Sequence, residues 1–212
     1  MSGIVGSKLN IRGSGRIAKL GTDGQVLTSA GAGTSAVYED IGVVGKQTMW
    51  IPSNAMTPTE TNGAERNSVE TTATRPDMQV LDFDKDADEY AQFAVAFPKS
   101  WNLGTVTFQA FWSGIAATTD CDWSLQGVAM NDNETIDVAY GTAVVVSDNA
   151  QGAVEELLVS AESGAVTIAG TPADSDLTFF RIGRDVSGDN MNGDARLHGI
   201  KLFFTTNSTN DA

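Results

Sequence analysis

Period-two alternation between Met78 and Trp112 constrains this chain most. The stretch reads MQVLDFDKDADEYAQFAVAFPKSWNLGTVTFQAFW. Ala91, Phe93, Val95 and Phe97 are spaced by two, and Val106, Phe108, Ala110 and Trp112 repeat the spacing after a Pro-Lys-Ser-Trp-Asn-Leu-Gly turn. Alternation of this kind sets one row of apolar side chains on one face of a pleated strand. Successive strands of this type form an antiparallel sheet with one apolar face, and that face needs a second layer to cover it.

The rest of the chain repeats the same grammar. Met78–Asp84, Tyr90–Phe97, Gly104–Ser113, Asp122–Met130, Ile136–Val146, Ala165–Ala169, Leu177–Val186 and Ala195–Thr205 read as strands, and Lys46–Pro52 (KQTMWIP) enters the unit. Asp148–Ser163 reads either as a helical turn around Ala153–Leu158 or as a strand over Glu156–Ala161. Ser53–Pro76 is polar and reads as a long surface excursion. About nine strands with turn signals between them predict an all-β, jelly-roll-like antiparallel β-sandwich. No segment carries a long, capped 3.6-residue period.

A small glycine-rich β region precedes the sandwich, and the two parts are read as residues 1–45 and 46–212. Lys8–Arg12, Arg16–Leu20, Gln25–Ser29 and Ala36–Asp40 read as short strands, with a turn at Thr22-Asp23-Gly24. Such short strands need partners to bury apolar surface. Charge separates the parts as well. Residues 1–45 hold four basic and three acidic groups; the remainder holds nine and twenty-four, for a total of −14. So acidic a surface repels phosphate backbones and anionic lipid, so neither nucleic acid nor membrane is an expected partner. No run approaches the ~18 apolar residues of a membrane span. Met1–Leu20 carries Lys8, Arg12, Arg16 and Lys19 without a continuous apolar core, so no export leader is expected.

Candidate sites are weighed against structural roles. Asp82, Asp84, Asp86, Asp88 and Glu89 resemble a calcium loop in composition, but Ala87 stands where an EF-hand needs Gly and Phe93 where it needs Glu. A solvated hairpin turn is the better reading. In Asp185–Asp194 the side chains of Asp189, Asn190, Asn192 and Asp194 are a second calcium candidate, with Gly188 and Gly193 permitting the turn. A Gly/Asn-rich loop between two long strands is again the better reading. His198 would need an adjacent nucleophile to act in a triad, and there is no G-x-S-x-G elbow. Cys121 lies between Asp120 and Asp122, which disfavours the thiolate. Both read as structural. One cysteine also excludes an intrachain disulfide and a multi-cysteine zinc site. Of the four tryptophans, Trp112 and Trp123 fall on strand patterns and are expected in the core. Trp101, in a turn, is expected to be the exposed one and the candidate for stacking on a sugar. No catalytic, cofactor or metal residue is assigned, and no enzyme activity is expected.

Two stretches carry a resemblance. Leu20–Ile41, LGTDGQVLTSAGAGTSAVYEDI, resembles a segment near the N-termini or in the shaft modules of bacteriophage fibre and appendage proteins. Met78–Trp112, together with Ile136–Val146 and Leu197–Thr206, is similar to a family of phage and prophage virion proteins. The resemblance implies a virion structural protein made in the host cytoplasm: a homotrimeric fibre or spike component on the tail or the head, tail fibre being one form. Residues 1–45 would join it to other virion proteins, and the sandwich would project outward, with host-surface glycan as a further partner. The alternatives are a capsid decoration protein, a carbohydrate-binding or carbohydrate-active module on an appendage, or a lectin-like bacterial module unrelated to virions.

Overall fold

The computed structural model describes residues 25–28, 32, 35–40, 44–154 and 156–211. The chain divides into two compact units, Met1–Val43 and Val44–Ala212. In the first, β1 (Gln25–Thr28) and β2 (Val37–Asp40) form an antiparallel hairpin with Leu27 opposite Tyr38. The expected strands at Lys8–Arg12 and Arg16–Leu20 and the Asp23-Gly24 turn lie outside the described residues.

The second unit is a β-sandwich. Its strands are β3 (Gly45–Pro52), β4 (Thr57–Pro58), β5 (Glu65–Glu70), β6 (Asp77–Phe83), β7 (Glu89–Val95), β8 (Thr107–Ser113), β9 (Asp120–Met130), β10 (Val144–Asn149), β11 (Leu158–Val159), β12 (Ile168–Ala169), β13 (Leu177–Arg184) and β14 (Ala195–Thr206). The front sheet has the order β11-β8-β14-β6-β5, and β3 also pairs with β14. β8 runs along one edge of β14. β6 and β3 share the other edge, pairing with residues 195–197 and 199–206 in turn. The back sheet has the order β10-β9-β13-β7-β4, with β12 added in parallel to β9. Among the described residues every other pairing between two of these strands is antiparallel. The all-β, jelly-roll-like architecture expected from the alternation is the one observed.

The core follows the alternation residue by residue. Phe108, Ala110 and Trp112 of β8 turn inward with Phe83 of β6. They meet Trp123, Leu125, Phe180 and Ile182 of the back sheet, all fully buried. The layers interlock edge-to-face: Phe83 and Trp112 stand 5.1 and 6.0 Å from the Trp123 ring. Each such side chain contributes about 1.5–3 kcal/mol by leaving water.

Two expectations change. The polar stretch Ser53–Pro76 is not one long loop. It supplies β4 and β5, and β5 pairs with β6 from Glu65↔Asp82 to Glu70↔Asp77. An edge strand with exposed side chains on both faces carries little apolar signal, so its sequence reads as loop. Of the strand expected at Ile136–Val146, the residues before Val144 are not in a strand, and Ile136 is 83% exposed. That segment is tied to the back sheet instead: the Gly141 N–H donates to the Gly127 carbonyl at 3.1 Å. Of the two readings left open for Asp148–Ser163, the strand is the one observed: Leu158 enters β11, opposite Trp112.

Candidate functional site

The two acidic loops are occupied from within. In the turn after β6 the carboxylates serve backbone amides. Asp86 N–H donates to Asp84, Asp84 N–H to Glu89, and Val186 N–H to Asp88, at 2.6–3.0 Å. Asp82 takes a two-pronged ion pair from Arg196 at 2.7 and 2.9 Å. In the Asp185–Asp194 loop, Asp189 pairs with the fully buried guanidinium of Arg184 at 2.6 Å. Arg184 also donates to the carbonyls of Phe83, Asp84, Met191 and Gly193 at 2.8–3.4 Å. These oxygens resemble the donor set of a hard cation, yet they surround a side chain of the chain itself. Arg184 thereby ties the loop before β14 to the end of β6. Among the described residues no group of three His, Cys, Asp or Glu is placed to hold a metal ion. Cys121 is buried in the core, and burial pushes its thiol far above the usual range.

The tryptophans are distributed differently from expectation. Trp112 and Trp123 are in the core, as the strand pattern requires. Trp101 is not exposed: it is 3% accessible and stacks on Phe97 at 4.3 Å. A turn residue with a large apolar ring can fold back over the open end of a sandwich, where burial outweighs its loop position. Trp50 is the exposed one, at 46%. It sits out of phase with inward-facing Met49 and Ile51 on β3.

Trp50 belongs to an open groove of about 750 Å³ on the outer face of the front sheet. Register explains its floor. Trp50 lies opposite Lys201 on β14; in the next row Pro52, Gly199 and Phe111 stand abreast. Gly199 offers no side chain, so the Trp50 ring lies over it: a Cβ there would fall 2.6 Å from the indole and from the Ile51 carbonyl oxygen. Trp50 thus reaches diagonally to Phe111, edge-to-face at 5.1 Å and 86°. Polar groups flank the rings: Gln79, Arg196, His198 and Lys201 line the same groove. The Lys201 ammonium stands 5.1 Å from the Phe111 ring centre.

A β-bulge sets the polar edge. Leu197 pairs with Trp112 and Gly199 with Phe111, which leaves His198 as the extra residue of β14. Arg196 precedes it and Lys201 follows it on the same outer face, while Leu197, Ile200, Leu202 and Phe204 stay buried. His198 Nε2 lies 3.1 Å from Ser113 Oγ. Burial, and then the positive charge of Arg196, lower the His198 pKa from 6.5, with Asp82 opposing. The imidazole is therefore neutral at pH 7.

Sequence reasoning passed over Trp50, Phe111 and the Ser113–His198 pair. For the first two the signal was present: each is an aromatic out of phase with an inward-facing apolar row. The three-residue step from Leu197 to Ile200 likewise marks the bulge. Nothing in the sequence marks the approach of Ser113 to His198, because it depends on register between strands 85 residues apart.

No protein-family model matches the chain, and no curated protein matches it. Among solved structures, it is similar to part of an isomalto-dextranase of Arthrobacter globiformis complexed with panose, at 18% identity over 78% of this chain and a TM-score of 0.48. The match spans about a quarter, 24%, of that protein. It is similar also to a family 11 carbohydrate-binding module from Clostridium thermocellum in complex with a mixed-linked tetrasaccharide, at 10% identity over 76% of this chain and 96% of that one, with a TM-score of 0.42. A third similarity is to the enzymatically active domain of a tailspike protein of bacteriophage CBA120, at 11% identity over 75% of this chain and 19% of that one, with a TM-score of 0.34. At these identities no ligand or activity carries over from those proteins to this chain.

Proposed function

We propose that the sandwich is a glycan-binding module carried outward on a phage virion appendage, with residues 1–45 joining it to the particle and to other copies of the chain. The observation that carries the glycan reading is the exposed Trp50–Phe111 platform. Aromatic rings offer an apolar face to the C–H side of a pyranose, and Gln79, Arg196, His198 and Lys201 beside them match its hydroxyls with donors and acceptors. Hydrolysis of a glycosidic bond needs two carboxyl groups in reach of it. Among the described residues lining the groove, Asp77 is the only carboxylate, which favours binding without cleavage of the chain.

The assembly reading is supported by the Leu20–Ile41 resemblance and by the hairpin within it. Val26 and Leu27, on opposite faces of β1, are 39% and 53% exposed. A two-stranded ribbon with four residues per strand has too little apolar burial to stand in water alone. Neighbouring copies of the same chain would supply the missing surface, most simply as a trimer.

Electrophoresis through gels containing host-surface polysaccharides tests the glycan reading: retardation of the intact protein is expected, and equal mobility across a broad polysaccharide panel would end it. For the attachment reading, a chain lacking residues 1–45 should fail to enter particles; normal incorporation would refute that role.

A further inference from the structure

The groove also holds a serine and a histidine within reach of each other, Ser113 and His198. Ser113 and His198 come from different strands and meet beside the bulge at His198-Gly199. Bulges commonly re-aim a side chain beside a reactive centre. The spacing of 3.1 Å between Oγ and Nε2 is hydrogen-bond reach for a nucleophile and its base. Both residues line the groove of the aromatic platform, next to Arg196. We propose that Ser113 and His198 form a catalytic dyad that hydrolyses acyl esters, the natural substrate class being O-acylated sugars seated on Trp50 and Phe111. The dyad stands on its own geometry; only the sugar part of the substrate rests on the glycan reading.

The chemistry balances with water as the only co-reactant. Neutral His198, protonated at Nδ1, accepts the Ser113 hydroxyl proton at Nε2 as Oγ attacks the ester carbonyl carbon. The tetrahedral oxyanion forms beside Arg196, whose guanidinium also pairs with Asp82. Collapse breaks the bond to the sugar oxygen, which leaves with the proton from His198. Water, deprotonated by His198, then attacks the acyl-serine and releases the carboxylic acid, and the proton returns to Ser113. General-base assistance of this kind contributes roughly 10²–10⁴-fold.

The test uses the intact protein with p-nitrophenyl acetate, which needs no sugar site, and a fluorophosphonate probe of nucleophilic serine. The expected result is ester hydrolysis about tenfold or more above buffer. It should fall to the buffer rate in Ser113→Ala and His198→Gln variants of unchanged circular dichroism, and decline on acidification as His198 takes a proton. The probe should add one phosphonyl group, mapped to Ser113, in the unaltered protein, so a variant that fails to fold does not block the test. A buffer-level rate with no adduct on Ser113, or hydrolysis undiminished by Ser113→Ala in a folded variant, overturns the proposal. Polysaccharide retardation without esterase activity would refute the dyad alone; esterase activity without retardation would refute the glycan reading alone.

Discussion

The outer faces of the two sheets are built on one plan and finished differently. On each, an aromatic ring lies over a strand glycine. Trp50 covers Gly199 in front, and Tyr90 covers Gly183 behind, where a Cβ would sit 2.5 Å from the tyrosine ring. Behind, the rings are then used up: the Arg181 guanidinium stacks 4.3 Å from Tyr90 and 5.1 Å from Tyr140, and Gln126 holds it there. In front, Lys201 meets Phe111, but Trp50 keeps nearly half its surface open. The back face also has a concavity, of about 650 Å³, but much of its wall is aliphatic: Ile136, Val138 and Leu177. Aromatic content alone therefore does not mark a stacking site. What distinguishes the front face is the open surface of Trp50, on which no cation is stacked among the described residues.

Substitutions on each face should separate what the two sheets share from what only the front one has. The largest effect belongs to the buried cation both sheets share. Arg184→Met strips Asp189 of its partner and should cost roughly 3–5 kcal/mol, because a lone buried charge is left behind. Urea unfolding should remain one transition; a variant in which one sheet melts separately would show that the faces do not stand on a common scaffold.

Next come the two glycines. Gly199→Ala and Gly183→Ala each force a ring to move, at about 1–3 kcal/mol of overpacking. Thermal unfolding should register both, while polysaccharide retardation should be lost only with Gly199→Ala. Equal loss in both would contradict the assignment of recognition to the front face. Trp50→Ala removes the platform itself and should weaken retention about tenfold or more, close to 1.4 kcal/mol. Tyr140→Ala, behind, should leave it within about twofold on the same scale.

The smallest effect is a pH dependence confined to the front face. His198 faces Ser113, Arg196 and Asp82, and its folded-state pKa lies below the ordinary 6.5. On acidification the unfolded chain therefore takes the proton first, so stability should fall as pH drops through 6.5 and level off once the folded imidazole also protonates. Above about pH 7.5 the residue should contribute nothing. Urea midpoints of the native protein and of His198→Asn, compared across that window, measure the difference; parallel curves would show that His198 is not the source.

Much of the fold was legible because strand periodicity is local. Phe108, Ala110, Trp112 and Trp123 announce their burial through spacing alone, and the antiparallel layers follow from the need to cover them. The polar edge strand β5 and the exposed segment at Ile136 were misread for the same reason: in both, apolar content and strand pairing come apart.

Strand periodicity and composition were enough for an acidic, all-β sandwich with one inward apolar row on its strands. Tertiary structure decided that the turn residue Trp101 is buried, and set what lies beneath the Trp50 ring that alternation turns outward. Trp101 is buried by the ring of Phe97, and the Trp50 ring lies over a glycine on a strand some 150 residues distant in the chain. It likewise decided that the loop at Asp185–Asp194 closes on Arg184 rather than on a metal ion, and that Ser113 meets His198. The meeting of Ser113 and His198 depends on the register between β8 and β14, which no single strand's spacing records, although the inserted residue itself shows in the step from Leu197 to Ile200.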